Sequence, residues 1–94
     1  MKSAKGKVKN VYAVRLEAGE DVIDGIKNVC NQYGIRHGVI VSGIGSLSKA
    51  SFFDPAPFPE KPGGYSYGDP IVMEGGIELI SLSGVICQDD ENNV

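Results

Sequence analysis

A β-branched run that ends in two closely spaced glycines constrains this chain more than any other feature. Val39, Ile40 and Val41 follow Gly38 and lead into Ser42-Gly43-Ile44-Gly45-Ser46-Leu47. Three consecutive β-branched residues favour a strand buried on both faces. The glycines that follow let the backbone turn sharply or approach a neighbour closely. At least one of Gly43 and Gly45 is therefore expected at positive φ, or where a side chain would strike a neighbouring backbone. Ser42, Ser46 and nearby backbone N–H groups are the candidate lining of a binding surface.

The segments before this stretch read as a strand and a helix. Residues 8–16 alternate, with Tyr12, Val14 and Leu16 on one face and Ala13, Arg15 and Glu17 flanking them on the other, which predicts a half-buried strand. Asp21 then stands where a helix N-cap belongs, and Asp24 follows at capping-box distance. Val22, Ile23, Ile26, Val29, Cys30 and Tyr33 recur at helical spacing and predict one apolar stripe. Gly25 inside that helix costs about 1 kcal/mol relative to alanine, so close packing against a sheet is expected there. Gly34 is the expected C-terminal cap.

After the glycine turn, four further strands are expected: residues 49–53, 65–67, 71–74 and 77–86. Gly75-Gly76 reads as the turn closing the third of these, and both faces of the last carry apolar residues, predicting cover on both sides. Residues 54–64 hold four prolines and two glycines and are expected to form a surface loop with no regular element. Phe58 within it suits a lid or a partner contact.

A chain of 94 residues makes one domain, residues 1–94, with a flexible basic start at 1–6 and an acidic tail at 87–94. So small a domain buries little apolar surface, and a partner subunit is expected to finish its core. No apolar run approaches the ~20 residues that span a bilayer, and no apolar region follows the basic start as in a signal peptide. The expected compartment is the cytoplasm, with no membrane partner. Cys30 and Cys87 are expected as buried free thiols. With one histidine and no Cys-x-x-Cys, no metal centre and no cofactor are expected.

Four blocks occur in an order that resembles one known family. They are Tyr-Ala-Val-Arg-Leu-Glu at 12–17, Gly-Glu-Asp-Val-Ile at 19–23, Ser-Gly-Ile-Gly-Ser-Leu at 42–47 and Ile-Glu-Leu-Ile-Ser-Leu-Ser-Gly at 77–84. Together they look like the plants-and-prokaryotes-conserved (PPC) domain, across roughly residues 8–86. The resemblance implies an α+β fold, with an antiparallel β-sheet, one principal amphipathic helix packed on it, and assembly into a homotrimer. It also implies a DNA association, by analogy with plant members in which the domain follows an AT-hook. This chain carries no Arg-Gly-Arg-Pro hook. The family's C-terminal strands and their histidines have no counterpart here, so the chain is expected either to be a shortened form or to take the missing pairing from another subunit.

The first functional expectation is a non-enzymatic oligomerisation and binding module, because no catalytic motif is present. Its candidate ligand-binding residues are Arg36, His37, Ser42, Gly43, Gly45 and Ser46. The alternative is a small-ligand enzyme with a site between subunits, using His37 as acid or base near Ser42, Ser46 or Glu78. A third is weak nucleic-acid contact through Lys2, Lys5, Lys7 and Lys9. A net charge of −3 argues against strong phosphate binding by the domain as a whole.

Overall fold

The computed structural model describes all residues, Met1–Val94. The fold is α+β: one α-helix and six strands in two-stranded pairs. Two compact units are present, one comprising Met1–Gly38 with Ile86–Val94 and the other Val39–Val85.

The first unit is built on α1, Val22–Tyr33. Asp21 caps it as expected, its carboxylate accepting from the Asp24 N–H at 2.9 Å. Gly34, at φ 67°, ends it by donating its N–H to the Cys30 carbonyl. Cys30 is 1% exposed and is the one buried hydrophobic residue of the chain. Ile23 and Tyr33, at either end of the stripe, are exposed.

Residues 8–16 form no strand. Their alternation is nevertheless used: the Tyr12 ring lies 5.0 Å from Tyr33, and Leu16 packs so closely on Gly25 that a Cβ there would come within 2.6 Å of its Cδ2. Gly25 thus accommodates a side chain of this unpaired segment, where packing against a sheet was expected.

The Gly38 stretch is shorter and barer than its composition predicts. Strand β1 covers Gly38–Ile40 and pairs with β6, Gly84–Ile86. Val39 and Val41 are 66% and 84% exposed, so the run is not buried on both faces. β-branching suits a pleated, half-buried surface, but burial needs a second layer, and that a local pattern cannot supply.

The longest pairing in the second unit is antiparallel, between β2, Gly45–Phe52, and β5, Ile71–Leu79. Its register steps by one: Leu47 faces Ile77 but Lys49 faces Glu74. Ser48 therefore opposes both Gly75 and Gly76, and Gly75 takes φ 115°. The glycine pair is a β-bulge inside one continuous strand rather than a terminating turn.

The long strand expected over 77–86 is interrupted. Gly45, which pairs with Leu79, is the first residue of β2, so the ladder has no partner beyond that point. Ile80 and Val85 are exposed, and the expected two-sided cover is absent. Cys87 is likewise exposed, against expectation, because it lies just past the end of β6.

Residues 54–64 are not a featureless loop. Strand β3, Pro55–Pro57, pairs antiparallel with β4, Tyr65–Tyr67, and a 3-10 turn at Pro62–Gly64 lies between them. Phe58 N–H donates to the Gly64 carbonyl at 2.9 Å and Gly68 N–H to the Asp54 carbonyl at 3.0 Å. In an antiparallel ladder hydrogen-bonded and non-bonded positions alternate. Pro55 and Pro57 occupy the non-bonded ones, where their missing N–H is not needed.

Candidate functional site

The expected ligand residues divide between the two units. Arg36 and His37 follow α1, in the first. Arg36 donates from Nη1 to Asn31 Oδ1 at 3.4 Å, and both side chains are exposed. His37 is exposed and has no hydrogen-bond partner within the chain.

Ser42, Gly43, Gly45 and Ser46 belong to the second unit. Ser42 is exposed. Gly43 is half-buried against Leu82, and a Cβ there would come within 2.9 Å of the Leu82 Cβ. Gly45 opens β2 with nothing within 4 Å of a Cβ. Neither glycine has positive φ. The sharp-turn expectation therefore fails, and what Gly43 meets is a side chain rather than a backbone.

The register of β2 and β5 places Ser46 opposite Glu78. The Ser46 hydroxyl donates to Glu78 Oε1 at 3.5 Å, an exposed and long contact. This is the one place where two of the residues considered for binding or catalysis meet. A serine beside a carboxylate can hold a polar group by accepting and donating hydrogen bonds.

Sequence reasoning missed a shallow, open groove lined by Pro55, Tyr65, Ser66 and Tyr67. Tyr67 also contacts Phe53, with ring centroids 6.0 Å apart. Its signal was present, since alternate residues of a strand share a face and Tyr65 and Tyr67 bracket Ser66. What hid it was the reading of the proline segment as unpaired.

Lys2, Lys5, Lys7 and Lys9 are all exposed and lie outside any helix or strand. None forms an ion pair, the one in the chain being Lys49 with Glu74 at 4.0 Å. The acidic tail closes on itself. Asp89 Oδ1 accepts from the backbone N–H groups of Asn93 and Glu91 at 2.8 and 2.9 Å. The Asn93 N–H foremost holds the Asp89 carboxyl below its ordinary value. No three metal-ligating side chains gather anywhere in the chain, and no helix is long and apolar enough to cross a membrane.

Residues 3–94 match the family described as the Plants and Prokaryotes Conserved (PCC) domain. No curated protein and no solved structure matches the chain.

Proposed function

The chain belongs to the Plants and Prokaryotes Conserved (PCC) domain family, and from that premise we propose that it works as a homotrimeric binding module. The observation that carries this reading is the exposure of its apolar side chains. Nineteen large hydrophobic residues are exposed and Cys30 alone is buried. Burying these side chains against further copies supplies the core that one chain lacks.

Sedimentation equilibrium at micromolar concentration tests the assembly directly. The expected mass is three times the 10.0 kDa of one chain. A species at the mass of a single chain overturns the reading.

The four exposed, unpaired lysines favour a second, weaker activity at the same time. They suit a sequence-independent association with duplex DNA, driven by release of a few counterions. Affinity should fall with salt along a shallow slope and ignore base sequence. Replacing Lys2, Lys5, Lys7 and Lys9 with glutamine should abolish it. Tight, sequence-selective binding at physiological salt would contradict this activity.

A further inference from the structure

Residues 12–16 touch α1 at two points and join no ladder. Tyr12 stacks near the C-terminus of α1, on Tyr33, and Leu16 packs near its N-terminus, on Gly25. Four extended residues span about 13 Å, and the eight helical residues from Gly25 to Tyr33 about 12 Å. The two contacts fit one extended segment running antiparallel to the helix. Alternation then turns Tyr12, Val14 and Leu16 toward α1, and Ala13 and Arg15 away from it.

The backbone of this segment has no hydrogen-bond partner within the chain. Residues 8–16 belong to no helix or strand, and none of the turn and loop hydrogen bonds reaches them. Val8, Val11 and Val14 are 78%, 88% and 50% exposed. An extended segment in this state is a strand in want of an edge.

Strand β5 offers such an edge. It pairs with β2 on one side only. Past the bulge, Ile71 and Met73 share a face with Phe52 and Ala50, and Ile71, Met73 and Phe52 are all exposed. Charge selects this edge over that of β2. Residues 1–16 carry Lys2, Lys5, Lys7, Lys9 and Arg15 and no acid. Strand β5 carries Glu74 and Glu78 and no base, whereas β2 carries Lys49 and no acid.

We propose that residues 8–16 of one copy add as a third strand to the free edge of β5 in a second copy, with α1 of the first covering Ile71 and Met73 of the second. Main-chain hydrogen bonds hold such an added strand, and alternate side chains choose its face. With Tyr12, Val14 and Leu16 toward α1, Lys9 and Arg15 fall on the face that carries Glu74. The proposal rests on the oligomeric reading above and names the surfaces that build it.

Two experiments on the full chain test it. The double variant Ala13→Pro/Val14→Pro removes one N–H donor from each edge of the segment, since successive residues point to opposite edges. Neither position lies in a helix or strand, so far-UV circular dichroism should be unchanged, while the dissociation constant of the assembly rises at least about tenfold, or ~1.4 kcal/mol. Ala4→Pro, outside the segment and without change of charge, should leave association unchanged.

The second experiment uses a Cys87→Ser background, mixes Ala13→Cys chains with size-tagged Val72→Cys chains, and applies a short bis-maleimide. A cross-linked dimer of unlike chains is expected. A wild type that sediments as a monomer overturns the oligomeric reading and this proposal together. An assembly that survives both prolines overturns the strand addition alone. So does a chain carrying both cysteines that cross-links only within itself.

Discussion

Gly75→Val is expected to lower the stability of the second unit by about 1–3 kcal/mol, the cost of holding a β-branched residue in the left-handed region of backbone space. Gly75 sits at φ 115° and, with Gly76, opposes the single residue Ser48. The strain has no inexpensive relief. Removing the bulge would slide one half of β5 by a residue, and every side chain on that half would change faces. Either Ile77 and Leu79 would leave the face they share with Leu47, or Ile71 and Met73 would leave that of Phe52. Gly76→Val is the internal control. Its φ is not positive, and nothing lies within 4 Å of a Cβ there. It should melt within about 0.5 kcal/mol of wild type. Urea titrations with equal m-values separate a loss of stability from a change in compactness. Equal midpoints for the two variants would mean that the bulge does not require its glycine.

What the sequence makes legible here follows the range of the interaction. Helix α1 was readable from Asp21 to Gly34 because its caps and stripe involve residues three or four apart. The glycine pair at 75–76 was visible as a break in pattern, but a turn and a bulge look alike until the opposing strand is known. That strand begins some thirty residues earlier, at Gly45. The prolines of β3 misled for a related reason. Proline forbids only the hydrogen-bonded positions of a ladder, and which positions those are depends on the register with Tyr65–Tyr67. Residues 8–16 show the limit most clearly. Their alternation was real and sets Tyr12 and Leu16 against α1, yet nothing local decides what their backbone pairs with.

The candidate site follows the same rule. Ser42, Gly43, Gly45 and Ser46 were chosen for chemistry at short range. Only Ser46 acquires a charged side-chain partner, and that partner, Glu78, is set by the register of β2 on β5. Arg36 finds only Asn31, five residues back. A lone histidine or arginine in sequence carries no information about convergence, because convergence is made by pairings between distant segments. The tyrosines of β4 point the same way: the open groove they line exists only because the proline segment folds back beside them.

Gly43→Val should destabilise by about 1–3 kcal/mol, and Gly45→Val should not. The two glycines are one residue apart in sequence and unlike in surroundings. A Cβ on Gly43 would lie 2.9 Å from the Leu82 Cβ and 3.2 Å from its Cδ2. The Leu82 Cβ is bonded to the backbone, so no rotamer change moves it away. Relief requires the chain near Leu82, between β5 and β6, to shift. Because φ at Gly43 is not positive, the cost is one of contact rather than of backbone strain. Alanine should therefore already cost part of what valine costs. At Gly45 the space is open, and a β-branched residue suits the first position of a strand. Denaturant melts of Gly43→Ala, Gly43→Val, Gly45→Val and the exposed-helix control Lys27→Ala give the comparison, with the last two expected within about 0.5 kcal/mol of wild type. A Leu82→Ala change should leave the Gly43→Val penalty in place, because alanine keeps the Cβ. Leu82→Gly should reduce it, and the coupling in that double-mutant cycle measures the contact itself. If Gly43→Val melts with the lysine control, Leu82 does not hold the chain at Gly43. The Ser-Gly-Ile-Gly-Ser segment would then keep its glycines for what it binds rather than for how it packs.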